Sequence, residues 1–345
     1  MPLLTSSSPL FPSLWGEMYN DRFLQFQLPD YTSPPLLDAL EATPEDFRND
    51  TVIDAMRDRA ANGTCTPTDC HIPFEATDMG AEFEKLGILF YGGALVDPRA
   101  YSVLAEPLAE MGLTTLIPVF ENDVALGFPC GTGRIQLAQE AHPEIDQWIL
   151  VGHSLGGVGA SSDAWVQLEM EEDGSDSSSS SVIAGLVLLA ADVQSDVCGA
   201  MEMIDFSLTG VPMGAVTATE DLIINFTRWE ENTVFLSNQT IFESIEGGNH
   251  GQFGSYNDTL RTPILGQVDG EATISPQEQW DATIDVILQV AMMATDGSGG
   301  DTPTASPTTS EMTETMAPTT SGSTNSLASN WAPAVLALSL FLSRV

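Results

Sequence analysis

The residues Gly152-His153-Ser154-Leu155-Gly156 form a Gly-x-Ser-x-Gly pattern. The pattern follows an apolar run, Trp148 to Val151, and precedes a stretch with helical character. A serine in a sharp turn between a strand and a helix presents its hydroxyl at the edge of a sheet, where backbone N–H groups of the helix stabilise negative charge. The pattern in this context predicts a nucleophile elbow around Ser154 rather than a serine in an ordinary Gly-rich turn.

A nucleophilic serine needs a base close to its hydroxyl. The four histidines of the chain are His71, His142, His153 and His250. The first two precede Ser154, and His153 lies inside the turn, where it points the wrong way to act as the base. His250 alone follows the serine, in a Gly-rich loop after an apolar run, so it is the predicted base.

The carboxylate that orients this base should come from a loop between Ser154 and His250 that follows a strand. Asp221 follows the run Val211 to Thr217, the penultimate predicted strand, and is the favoured acid. Asp192, which follows the preceding strand, is its rival. A further alternative is that Asp221 merely caps the next helix.

Acyl transfer places negative charge on the substrate carbonyl oxygen, and two backbone N–H donors are needed to stabilise it. Leu155, directly after the serine, supplies one of them by its position. The second should come from the loop Tyr91-Gly92-Gly93-Ala94, where glycines let the backbone approach a ligand closely. Ala94 is the favoured donor and Gly93 the alternative. The two glycines could also serve only a tight turn.

The elements that must position these residues alternate along the chain from residue 86 to residue 292. Short apolar runs alternate with helical stretches, which is typical of a mostly parallel sheet covered on both faces, so the fold class is α/β. The predicted strands are 87–91, 114–119, 147–151, 182–190, 212–217 and 240–245, with a further outer strand within 71–76. The predicted helices are 98–111, 134–141, 154–169 and 276–293.

The composition divides the chain into four regions. Residues 85–295 carry the alternating pattern of the catalytic domain, with a polar insertion at 171–181, and residues 1–84 are less readable. Residues 296–330 are rich in Ser, Thr and Pro and are typical of a disordered stalk. The apolar tail, 331–345, is too short to span a bilayer as a helix, but it fits a GPI-attachment signal. A frayed apolar terminus is the alternative.

The connection from Phe120 to Arg134 is the predicted cap over the pocket. Phe128 is a candidate for an apolar acyl subsite in this cap. Val124 and Leu126 could line the same subsite, but ordinary core packing is the favoured interpretation for both.

The formal net charge of −39 arises from 49 acidic and 10 basic residues among 345. Such a charge repels phosphate backbones and anionic lipid surfaces, so nucleic acid is not an expected partner. Solubility or adaptation to a salty milieu is favoured over an acidic surface made for a cationic substrate.

The cysteines and the glycosylation sequons indicate the cellular compartment in which the protein is expected. The four cysteines contain no Cys-x-x-Cys pair and no zinc-ligand spacing, so no metal site is expected. In an oxidising compartment, Cys65 could pair with Cys70, and Cys130 with Cys198. Sequons begin at Asn49, Asn62, Asn225, Asn238 and Asn257. Roughly two sequons would be expected by chance. The excess predicts a secreted or membrane-anchored glycoprotein at the cell surface, although the first residues show no clear signal peptide.

Three blocks of the sequence resemble the alpha/beta hydrolase fold-5 family. They are Gly87 to Tyr101 (GILFYGGALVDPRAY), Trp148 to Gly157 (WILVGHSLGG), and Ile245 to Ser255 (IEGGNHGQFGS) with ATISPQEQ from Ala272. With the run VIAGLVLLAA, the similarity covers about residues 85–292. The resemblance implies an alpha/beta-hydrolase fold with a mostly parallel central sheet between two layers of helices.

The same resemblance implies a catalytic triad of serine, aspartate and histidine, which falls here on Ser154, Asp221 and His250. Two loops depart from the family pattern. Tyr91-Gly92-Gly93-Ala94 stands where relatives tend to have Tyr-Pro-Gly-Gly, and Ala218-Thr219-Glu220-Asp221 matches a Gly-Thr-x-Asp turn only in part.

The residues and the resemblance together predict a serine hydrolase that cleaves a small-molecule carboxylic ester through an acyl-enzyme, without a cofactor. Two alternatives stay open. The bond could be a thioester or an amide, or the chain could be a catalytically silent hydrolase fold that acts as a surface-anchored binding module.

Overall fold

A seven-stranded sheet organises the part of the chain that the computed structural model describes, which is residues 31–77, 83–125, 132–173, 181–193, 204–259 and 266–297. The strands are β1 (His71–Phe74), β2 (Leu86–Tyr91), β3 (Thr114–Pro118), β4 (Gln147–His153), β5 (Ile183–Leu189), β6 (Met213–Ala218) and β7 (Thr240–Ile245). Their order is β1-β3-β2-β4-β5-β6-β7. Strand β1 runs antiparallel to β3, and every other neighbouring pair is parallel.

The central strands are buried on both faces because their residues are almost all apolar. Every residue of β2, β3, β5 and β6 is buried, as expected for parallel strands with helices above and below. Strand β7 lies at the edge of the sheet, and three consecutive residues of it, Phe242 to Ser244, are exposed. The predicted α/β class with a mostly parallel sheet is confirmed.

Seven helices cover the sheet within the described ranges. They are α1 (Leu37–Ala42), α2 (Asp50–Ala61), α3 (Ser102–Glu110), α4 (Arg134–Ala141), α5 (Leu155–Asp173), α6 (Phe226–Asn232) and α7 (Pro276–Gly297). Helices α1, α2, α3 and α7 contribute to one hydrophobic core, and α4 and α5 contribute to the other. Alternate residues of β2 divide between the two cores, so the sheet separates them.

Two predicted helices begin differently from the sequence pattern. The helix predicted from residue 98 starts as a 3-10 turn, Pro98–Tyr101, before α3 begins. The Asp97 side chain caps that turn by accepting from the N–H of Arg99. The helix predicted from Ser154 begins one residue later, because Ser154 has a left-handed backbone conformation that no helix residue can share.

The segment before β1 joins the sheet edge through its backbone. The N–H of Ser33 donates to the Leu95 carbonyl, and the N–H of Asp97 donates back to the Ser33 carbonyl. The N–H of Leu36 donates to the Ser255 carbonyl in the same way. Residues 31–36 therefore lie against two loops at the carboxyl edge of the sheet.

The predicted pairing of Cys65 with Cys70 is confirmed by a disulfide between them. Cys130 and Cys198 lie outside the described residues, as do Leu126, Phe128, and residues 1–30, 174–180 and 298–345. The predictions made for these residues therefore remain predictions. Among the helices of the described ranges, none has the length and apolarity to cross a bilayer.

Candidate active site

Ser154 occupies a strained turn between β4 and α5. Its φ is 54°, a left-handed value that is rare outside glycine, and its N–H donates to the Leu189 carbonyl on the neighbouring strand. Glycine is required on both sides of the turn. A Cβ on Gly152 would collide with the Gly156 backbone, and a Cβ on Gly156 would collide with the Tyr91 carbonyl oxygen. The sequence Gly-x-Ser-x-Gly folds into this elbow because only glycine allows such close approach.

His250 and Asp221 lie side by side in the interior. Nδ1 of His250 is 2.8 Å from Oδ2 of Asp221, and both side chains are buried. With the Nδ1 proton directed to the carboxylate, the lone pair of the neutral imidazole is on Nε2. That nitrogen is buried and has no hydrogen-bond partner among the described residues. The ring centre of His250 is 4.7 Å from that of His153, the residue directly before Ser154, so the predicted base lies at the elbow.

The environment of Asp221 keeps its carboxylate charged. Burial alone would raise its pKa, but the interaction with His250 and the hydrogen bonds from two backbone N–H groups outweigh burial and hold the pKa below its ordinary value. The two backbone donors are Ile223 and Ile224, which bond Oδ1 at 2.8 Å and 3.0 Å. One carboxylate oxygen is therefore held by the loop, and the other faces the histidine.

Asp192, the rival acid, is engaged elsewhere. Its carboxylate accepts from Nε and Nη2 of Arg228 at 2.8 Å and 3.1 Å, and from Asn232 at 2.8 Å. Of the two candidate acids, Asp221 is the one hydrogen-bonded to His250.

The loop after β2 lies beside the elbow, and one of its two candidate oxyanion donors is already bonded. The N–H of Gly93 donates to the Tyr101 hydroxyl at 2.7 Å, and the same hydroxyl is 2.9 Å from Nδ1 of His153. Leu155 is the first residue of α5, a position whose N–H has no partner within the helix.

Three residues that support the site were not singled out from the sequence. Tyr101 joins the loop after β2 to His153, as described above. Gln279 of α7 holds the base loop: its Oε1 accepts from the N–H of Asn249 at 3.0 Å, and its Nε2 donates to the Asn249 carbonyl at 2.8 Å. Gln279 is the last residue of the ATISPQEQ stretch, so that stretch was the available signal for it.

Asp269 links the acid loop to the base loop. It accepts from the N–H of Gly251 at 2.7 Å and from the N–H of Leu222 at 3.3 Å, the residues directly after His250 and Asp221. The two loops are therefore tied together one residue beyond their functional side chains. No pattern in the sequence indicated this contact.

The predicted cap is described only in part. Val124 is half-buried, which is compatible both with lining the acyl subsite and with core packing. Leu126 and Phe128 lie outside the described residues. Across the described ranges, no group of three or more His, Cys, Asp or Glu side chains is arranged to hold a metal ion.

Comparison with known proteins defines the class of this chain. A family model described as the Alpha/beta hydrolase family matches residues 87–281, which is more than half of the 345 residues. The chain belongs to the alpha/beta hydrolase family, and the resemblance carried by the three sequence blocks is confirmed. A search of curated proteins gives no match.

Solved structures of hydrolases are similar to this chain at low sequence identity. One is an alpha-beta serine hydrolase homologue from Coxiella burnetii, with 15% identity, a TM-score of 0.38, and coverage of 52% of this chain and 82% of that chain. Another is a thermophilic esterase from Thermogutta terrifontis, with 14% identity, a TM-score of 0.42, and coverage of 64% of this chain and 88% of that chain.

Proposed function

We propose that this protein is a serine hydrolase that cleaves carboxylic esters. The observation that carries the proposal is the 2.8 Å bond between Asp221 and His250 next to the left-handed elbow at Ser154. A buried carboxylate, an imidazole with its basic nitrogen unpartnered, and a strained serine are the three parts that nucleophilic acyl transfer requires.

The proposed reaction has two halves. Ser154 Oγ attacks the ester carbonyl while Nε2 of His250 takes its proton, and the N–H groups of Leu155 and Ala94 stabilise the oxyanion. The imidazolium then protonates the departing alcohol, which leaves an acyl-enzyme. Water, deprotonated by the same Nε2, attacks the acyl carbonyl and releases the carboxylic acid and free Ser154. Asp221 holds the imidazole tautomer throughout.

A fluorophosphonate probe tests whether the serine is a nucleophile at all. We expect covalent labelling of the folded protein at Ser154, because the probe phosphonylates serines that are activated by a neighbouring base, with loss of fluoride. Mass spectrometry of the labelled peptide identifies the site. The His250→Ala variant should label far more slowly, and the Ser244→Ala variant, which changes an exposed serine on β7, should label like the wild type.

Labelling would also separate the two classes of function. An unlabelled Ser154 in folded protein would favour the silent binding module. A labelled protein that hydrolyses thioesters or amides faster than p-nitrophenyl esters of any chain length would keep the nucleophile and replace the proposed substrate class.

We further propose that the protein passes through a secretory route and carries N-glycans. All five sequons are of the Asn-x-Thr type, and their five asparagines are exposed. The Cys65–Cys70 disulfide agrees with an oxidising compartment. In the transfer, Asn Nδ2 would form a bond to the sugar carbon of a lipid-linked oligosaccharide diphosphate, and the lipid diphosphate and a proton would leave.

Expression in a eukaryotic secretory host should give a protein whose mass falls on treatment with peptide N-glycosidase. Replacing the five sequon asparagines with glutamine should abolish this shift. Asn122→Gln is the matched control, since Asn122 is exposed but lies outside any sequon. Secreted protein with the mass of the bare chain would contradict the proposal.

A further inference from the structure

Two neighbouring loops at the carboxyl edge of the sheet are held in unusual backbone conformations. The first, residues 92–97, follows β2 and contains the candidate oxyanion donors. The second, residues 119–125, follows β3, and its Asp123 carbonyl accepts from the N–H of Leu95 at 2.9 Å. Leu95, Asn122 and Asp123 have φ values of 58°, 54° and 51°. Asn and Asp adopt the left-handed region more readily than other non-glycine residues, but Leu95 keeps it only where its surroundings hold it there.

Each loop also carries a buried carboxylate. The side chains of Asp97 and Asp123 are 4% and 2% exposed. Two like charges buried at one place repel each other and lose their hydration, so they need cations.

A single arginine from outside both loops joins these carboxylates. Nη2 of Arg57, on α2, is 2.9 Å from Oδ2 of Asp97 and 2.9 Å from Oδ2 of Asp123. Nε of Arg57 adds a bond to Oδ1 of Asp123 at 3.0 Å. The planar guanidinium therefore bridges the loops, a geometry that a lysine cannot reproduce.

The two carboxylates depend on Arg57 to different degrees. Asp97 has a second cation, Arg99, at 2.8 Å, whereas within the described ranges Arg57 is the cation paired with Asp123. Burial alone would raise the pKa of Asp97, but the two arginines hold it below its ordinary value. Burial raises the pKa of Asp123 to about 6 even with Arg57 opposing it. The second loop is thus the one that loses most if Arg57 is removed.

Arg57 is one of 10 basic residues in a chain that has 49 acidic residues. It lies outside the range 87–281 that the family model matches. We propose that Arg57 is a positioning residue, which holds the backbone of residues 92–94 in place for oxyanion stabilisation by joining Asp97 to Asp123. The inference rests on the proposed hydrolase function and adds a role for the N-terminal segment.

The test compares Arg57→Gln with Arg59→Gln, a matched change on the same helix at a side chain that is 42% exposed. The kcat is measured per active site, with the sites counted by fluorophosphonate titration. We expect kcat per site to fall at least about tenfold in Arg57→Gln, because loss of one oxyanion donor costs about 100-fold or more. KM should change less than about threefold, because the donors act chiefly in the transition state. Arg59→Gln should match the wild type.

A purely structural role for Arg57 would give a different result. It would lower the fraction of titratable sites and leave kcat per site unchanged, and that outcome would overturn the inference. If Arg57→Gln does not fold, Asp123→Asn provides the same test, because it removes the charge of the link from the other side while keeping the side-chain shape. Wild-type kcat per site in Asp123→Asn would likewise overturn it.

Where both variants fold, the double variant gives a sharper readout. If Arg57 and Asp123 act through one link, the double variant should lose no more activity than the worse single variant. Fully additive losses would show independent roles and contradict the inference. An active wild type with unchanged variants would overturn this inference alone, whereas an inactive and unlabelled wild type would overturn the proposed function and this inference with it.

Discussion

Replacement of Ser154 with alanine is expected to lower kcat/KM for ester hydrolysis by roughly three orders of magnitude or more. The hydroxyl is the proposed nucleophile, and without it no acyl-enzyme can form. Alanine keeps the Cβ of serine, so the variant has the same left-handed strain at φ 54° and should fold as the wild type does. The comparison therefore isolates the chemistry from the backbone.

The measurement is hydrolysis of p-nitrophenyl esters of increasing chain length by wild type, Ser154→Ala and Ser244→Ala. The chain-length dependence of the wild type reports the size of the acyl pocket. Ser244→Ala should keep full activity, since this side chain is exposed on the edge strand β7. Wild-type activity in Ser154→Ala would contradict the assignment of Ser154 as the nucleophile.

Asp221→Asn is expected to lower kcat by roughly four orders of magnitude, as loss of the correct histidine tautomer does in a serine protease with a Ser-His-Asp triad. The asparagine carbonyl can still accept from the N–H groups of Ile223 and Ile224, which now bond Oδ1. Its amide group would then face His250 and donate to Nδ1. The imidazole would carry its proton on Nε2, where it cannot accept the proton of Ser154.

The matched control is Asp192→Asn, a change in the rival candidate acid, which is also buried and also follows a strand. It should weaken the pair with Arg228 but leave the histidine tautomer intact, so kcat should fall much less than in Asp221→Asn. Steady-state kinetics and thermal melting of both variants provide the comparison. A larger loss of kcat in Asp192→Asn, with its melting temperature unchanged, would identify Asp192 as the acid.

The parts of the fold that could be read from the sequence are those that depend on local patterns. Buried parallel strands are continuous apolar runs, so the predicted strand 182–190 encloses β5. The edge strand β7 and helix α4 were predicted with their observed bounds. The elbow was readable because its Gly-x-Ser-x-Gly pattern is local, and the steric demand for Gly152 comes from the Gly156 backbone, close to Ser154. The demand for Gly156 comes from Tyr91 on β2, which the local pattern does not show. The order of serine, acid and base along the chain then narrowed the choice of partners.

The parts that could not be read depend on contacts between distant segments. Arg57 and Asp123 are 66 positions apart, and Gln279 and Asn249 are 30 positions apart. Nothing in the local sequence of either partner specifies the other. The bond from the Gly93 N–H to the hydroxyl of Tyr101, eight residues further along the chain, could not be read for the same reason.

The position of Gln279 on α7 has a consequence for the order in which the candidate active site is completed during synthesis. The ribosome completes Ser154, Asp221 and His250 before it reaches the residue that clamps the backbone beside His250. A nascent chain that ends before α7 would contain Ser154, Asp221 and His250 but not Gln279, which bonds the backbone of Asn249. If the proposed triad is catalytic, its activity should therefore emerge late in translation, after α7 has docked on the sheet.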